Sequence, residues 1–191
     1  MKELIVLAVT AILIENVILY SFLGICPFLG VSNSKKSAVG MGLAVVVVVT
    51  ISAVVAWLLY TFILVPFEMV YMKTIVFILV IAGLVQIMEI FIKKISPSLY
   101  NSLGIYLPLI TTNCVVLGVA TIVASEEYTL LKAFVYSFST SVGFLLILFL
   151  FSAVRQRITA APVPEGFKGV PISLITAGIM AMIFVRFAGI I

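Results

Sequence analysis

The chain has no histidine and only two cysteines in 191 residues. The first absence excludes histidine-ligated haem and the usual zinc sites. The second excludes a disulfide framework and a four-thiolate cluster held by this chain alone. Charge is scarce too. Charged residues make up 9%, against about 25% in an ordinary soluble domain. Eleven basic and seven acidic side chains cannot cover a water-soluble globule of this size. A soluble enzyme, a nucleic-acid-binding domain and a disordered tail are thereby excluded. The pI near 9.1 is no sign of nucleic acid, because the basic residues are few and scattered in pairs.

What is present is apolar. Hydrophobic residues make up 64% and the mean hydropathy is +1.40. No charge occurs in residues 37–67, 95–125, 133–154 or 169–185. A bilayer core needs about 20 helical residues to cross it. These runs predict an all-α integral membrane protein with six transmembrane helices, at 4–22, 38–63, 69–92, 103–123, 130–154 and 171–188. Loops are short, so residues 1–191 read as a single transmembrane domain. The apolar stretch from Leu4 runs past Glu15 without a small-residue cleavage pattern, and no cleavable signal peptide is expected.

Six spans divide the basic residues between two sides. Lys2, Lys73, Lys132 and Arg186 fall on one, with Glu3, Glu68, Glu126 and Glu127 beside them. Lys35, Lys36, Lys93, Lys94, Arg155, Arg157 and Lys168 fall on the other. The seven-to-four bias puts the second side in the cytoplasm and both termini outside. Lys35–Lys36 and Arg155/Arg157 read as topology determinants. Trp57, Tyr60, Tyr71 and Tyr128 lie near span ends on the outer side, as an aromatic belt does.

The two halves resemble each other. Cys26-Pro27-Phe28-Leu29-Gly30-Val31 and Cys114-Val115-Val116-Leu117-Gly118-Val119 agree at four of six positions, at an offset of 88. Ala82-Gly83 matches Ala177-Gly178 at 95, and a rival register pairs Asn16 with Asn113 at 97. Each half, about 1–94 and about 95–191, holds three spans. An odd number forces opposite orientations, which is the inverted-repeat architecture. Helices 1 and 4 are expected to be broken. Residues 4–31 would make one helix about 42 Å long, with Gly24, Pro27 and Gly30 as breaks. Pro108, the Thr111-Thr112-Asn113 run and Gly118 do the same around Cys114. Irregular backbone at membrane depth is tolerated only inside protein or beside a polar cavity. The thiols are therefore expected to face a protein interior.

A free cysteine is often just a small buried hydrophobe. Two at matched places on helix breaks suggest metal ligation. Thiolates suit iron–sulfur clusters, and helix breaks expose N–H groups that hydrogen-bond sulfur. A cluster with four cysteine ligands would take its other two from a second chain. Glu15 and Asn16 lie within the first span. A carboxylate at that depth costs a few kcal/mol on insertion scales and is a functional hypothesis by default: a proton or Na⁺ relay, or a group that fixes the break. Glu89 stands four residues before Lys93, a favourable helical pairing that reads as structural, and Gln86 lies one turn away. Arg186 is expected to snorkel. Gly40-Met41-Gly42 and residues 45–49 read as packing features; they lack the strand and lysine of a nucleotide loop.

The segments 23–32, 103–114 and Ile175-Thr176-Ala177-Gly178-Ile179-Met180 resemble the A-type membrane component of the Rnf complexes, and the likeness spans essentially the whole chain. A close relative is the E-type component of the sodium-translocating NADH:quinone reductase. That family typically has a longer insertion between spans 2 and 3; the short connection at Pro66–Lys73 favours the Rnf side. The resemblance implies electron transfer between reduced ferredoxin and NAD⁺, coupled to Na⁺ or H⁺ translocation. It implies that Cys26 and Cys114 contribute to an intramembrane [2Fe–2S] cluster shared with a homologous inverted partner, the E-type component of the Rnf complex. Flavins would sit only on other subunits. The expected location is the bacterial or archaeal cytoplasmic membrane. Alternatives are the equivalent quinone-reductase component, a small inverted-repeat transporter using Glu15 and Asn16, or a scaffold with passive cysteines.

Overall fold

The charge-free runs become helices because lipid satisfies no backbone polar group, so the chain must satisfy its own. A computed structural model describes residues 2–32, 34–67, 70–95, 109–110, 112–126 and 128–188, with no strand among them. Pro108, Thr111, Glu68, Glu127 and the beginning of the expected fourth span lie outside the described residues, as does the side chain of Arg186.

Helix α1 covers Lys2–Val9 and passes into a π-helical turn at Thr10–Ile14. The chain then runs as turns to Gly24. Helix α2 is Ile25–Val31 and α3 is Lys35–Leu59, extended by a second π turn at Tyr60–Leu64. Helix α4 is Lys73–Ile95, α5 is Cys114–Ser125, α6 is Leu130–Thr159 and α7 is Val170–Ala188. Among the described residues, three helical stretches, Lys35–Leu64, Val70–Ile90 and Leu130–Thr159, are long and apolar enough to cross a membrane. Cys114–Ser125 and Val170–Phe184 are shorter apolar helices. The expected first span is thus not one helix: its helical part ends at Ile14.

Helices α3 and α6 form the main contact. They run antiparallel, because their opposite ends are tied separately. The Trp57 indole N–H donates to the Tyr128 carbonyl, just before α6 begins. Near the end of α6, the Arg155 guanidinium donates to the Leu29 carbonyl and the Ser32 hydroxyl, just before α3 begins. Met41, Val45, Val49 and Ala53 of α3 are buried, as are Phe144, Ile147, Leu148 and Phe151 of α6. Apolar burial gives little drive between helices in lipid; close packing does the work, and small residues permit it. A Cβ at Gly42 would lie 2.9 Å from Leu145 Cγ, as the packing role read for 40–42 requires. Ser137, Ser139, Ser141 and Gly143 make a buried small-residue run on α6.

The contacts also sort the charges. Glu3 pairs with Lys132 at 3.8 Å, and the Lys73 ammonium donates to the Ser125 hydroxyl at 2.9 Å. Trp57 and Tyr128 lie at that same end. Arg155 sits at the opposite end, beside the residues that lead into Lys35 and Lys36.

Candidate cofactor site

Both cysteines stand where a helix starts. Cys26 is the second residue of α2 and Cys114 is the first of α5. The breaks lie before the cysteines rather than around them. Pro27 and Gly30 are inside α2, and Gly118 is inside α5. Proline in a first turn loses no hydrogen bond, so Pro27 starts the helix instead of breaking it.

The two breaks meet. The Gly24 N–H donates to Cys114 Sγ at 2.9 Å, across 90 residues of sequence. Gly24 has φ +84°, and a Cβ there would lie 2.6 Å from Val115 Cγ2 and 2.7 Å from the Phe144 ring. A Cβ on Gly118 would collide with Leu23 Cδ2. The first break therefore packs on the helix that carries Cys114. Both thiols are exposed in the single chain. The protein interior expected around them is therefore not completed by the described residues of this chain. Among the described residues, no three histidine, cysteine or acidic side chains converge as a metal site.

A matched pair of asparagines shapes the breaks. Asn16 Oδ1 accepts from the Ile18 N–H at 3.2 Å, and Asn113 Oδ1 accepts from the Val115 N–H at 3.1 Å. Both are buried. Such local bonds offer the backbone an alternative to the helical ladder. Asn16 Nδ2 donates to the Ile12 carbonyl at 3.0 Å. Asn113 Nδ2 is buried with no hydrogen-bond partner among the described residues. The amide of Asn16 is engaged at both ends, and both bonds hold the break.

Glu15 is exposed rather than buried in a continuous span. It follows the π turn, where its N–H donates to the Thr10 carbonyl at 2.8 Å. Such turns are frequent at functional sites. Its side chain lines a cavity of about 280 Å³ with Tyr20, Ser21, Glu126, Tyr128 and Tyr136. Burial, then the charges of Glu126 and Glu15, push the Tyr128 phenol above its ordinary value, so it stays protonated as a donor. Sequence reading missed Glu126 as a companion of Glu15, because 111 residues separate them. It also read Arg155 only as a topology determinant. The guanidinium holds the last carbonyl region of the Cys26 helix, a C-terminal capping role.

Helices of membrane length and two thiols delivered to adjoining helix breaks define an all-helical membrane protein with a soft donor pair on its surface. Residues 4–191 match the family described as "Rnf-Nqr subunit, membrane protein". The chain belongs to the Rnf-Nqr family. It is 51% identical to a protein of Alcanivorax borkumensis named as the A component of an ion-translocating oxidoreductase complex, 50% to one of the same name from Serratia proteamaculans and 48% to one from Proteus mirabilis. In each case the similarity covers 100% of this chain and 99% of the relative.

Proposed function

We propose that this chain is the A-type membrane component of an Rnf-type ion-translocating oxidoreductase complex. In this reading, Cys26 and Cys114 supply two of the four thiolate ligands of a [2Fe–2S] cluster, shared with a homologous inverted partner of the E type. The observation that carries it is the Gly24 N–H bond to Cys114 Sγ, which joins the two cysteine-bearing breaks. The donor set fits such a group. The thiols are soft and accessible to a second chain, and Cys114 Sγ already accepts a backbone N–H, as cluster sulfurs do. When bound, the cluster supplies a one-electron carrier at membrane depth. The chain's own residues do the rest: Asn16 and Asn113 fix the breaks, Gly24 donates to sulfur, and Arg155 anchors the far end of the Cys26 helix.

The repeat reading has support in the element order. A break, a cysteine helix, a long helix and a further helix occur twice: residues 15–24 with α2, α3 and α4, then residues 112–113 with α5, α6 and α7. We propose that these are the two inverted halves of a single six-span domain in the bacterial cytoplasmic membrane, with both termini outside. Glu15 and Asn16, with Glu126 lining the same cavity as Glu15, are the proposed ion-coupling groups for Na⁺ or H⁺. Flavins belong to other subunits. Iron and acid-labile sulfide in the isolated chain test the shared ligation: no stable cluster is expected there, and stoichiometric [2Fe–2S] in this chain alone would refute it.

A further inference from the structure

A second cavity, of about 230 Å³, opens at the opposite end of the bundle from Glu15, between the end of α6 and the start of α7. Arg155, Thr159, Lys168, Ser173 and Thr176 line it, and among the described residues no acidic side chain does. Phe151, Ile158 and Ile172 make an apolar wall on one side. We infer that this cavity binds the phosphate headgroup of an anionic phospholipid.

The chemistry is that of a phosphate diester site. A guanidinium offers five N–H donors in a planar fork that matches phosphate oxygens. Arg155 uses one terminal nitrogen for both Leu29 and Ser32. Among the described residues, Lys168 has one exposed pairing, with Glu165 at 3.6 Å, which a buried anion would outcompete. The three hydroxyls now donate to carbonyls one turn back: Thr159 to Arg155, Ser173 to Gly169 and Thr176 to Ile172. These local bonds keep the hydroxyls satisfied without a ligand, and each can turn towards one.

Place selects lipid over a soluble anion. The cavity lies at the end of a 30-residue apolar helix, where headgroups sit, and at the end that carries Lys35, Lys36 and Arg157. Its volume suits a phosphate with its glycerol link, not acyl chains. Those have a path along α7, where Ile175, Ile179 and Met182 are exposed. Basic pockets between membrane helices commonly hold anionic headgroups. The ligand would share Arg155 with the carbonyl cap of the Cys26 helix, so occupancy bears on the helix that carries one thiol. The inference does not depend on the cluster.

The test uses the assembled complex, washed in neutral detergent and offered phosphatidylglycerol, phosphatidylcholine or inorganic phosphate. Retained phospholipid is counted by native mass spectrometry. Wild type should keep one more phosphatidylglycerol per complex than Lys168→Gln, which should bind it about fivefold more weakly. Thr176→Val should weaken it too. Gel filtration confirms that both variants assemble, and both leave Arg155 in place. Equal retention of phosphatidylcholine, or unchanged retention in both variants, overturns the proposal. Displacement of the lipid by millimolar phosphate alone would also overturn it, by assigning the cavity to a soluble anion.

Discussion

Gly24 does three things at one position. Its N–H meets Cys114 Sγ, its φ of +84° turns the chain into the Cys26 helix, and its missing Cβ admits Val115 and Phe144. An alanine there meets a left-handed backbone that costs roughly 1–2 kcal/mol, and a clash with two packed side chains besides. We expect Gly24→Ala to lower the thermal midpoint of the assembled complex and to shift the cluster potential through the lost N–H geometry. An unchanged midpoint and potential would show that neither contact matters. Glu15 makes a different kind of claim. Its carboxylate is exposed in a polar cavity, so Glu15→Gln should leave assembly intact and lower turnover or the ion-to-electron ratio. Normal assembly with a normal ratio and rate would make Glu15 merely structural.

At the scale of elements, α6 is the spine on which the first break is moulded. Gly143 lets Asn16 lie against it: a Cβ there would lie 2.8 Å from Asn16 Nδ2 and 3.0 Å from the Ile12 carbonyl oxygen. Backbone cannot yield as a side-chain tip can. Gly143→Ala should therefore destabilise more than Gly118→Ala, whose Cβ meets only the end of Leu23; denaturant or thermal unfolding of the complex compares them. The long helices were legible in sequence because charge ends them. The expected 38–63, 130–154 and 171–188 became α3 with its π turn, α6 and α7, displaced by a few residues at their ends. The breaks were legible in existence but not in place. Proline and glycine mark both helix starts and helix interruptions, and only tertiary contact decides between them. The rival repeat registers have a physical source as well. Asn16 stands ten residues before Cys26, whereas Asn113 stands directly before Cys114. The first break holds nine extra residues of turn, so asparagines and cysteines cannot align together. The Glu15–Glu126 cavity and the Arg155 cap were invisible, since each joins residues far apart in the chain.

For the whole molecule, Arg155 lies with Ser32 at one end of the bundle and Lys132 with Glu3 at the other. In the proposed orientation the Arg155 end is cytoplasmic. A reporter active only in the cytoplasm should work when fused after Ser34 and fail after Ile191; the reverse would invert the orientation. The central claim is that two thiols of this chain are half of a cluster completed by a second chain. Low-temperature electron paramagnetic resonance of the reduced complex tests it most directly. Cys26→Ala and Cys114→Ala should each abolish the intramembrane [2Fe–2S] signal and block electron flow, while Val47→Ala, on an exposed face of α3, should keep both. A signal that survives in both cysteine variants would contradict the shared-cluster assignment.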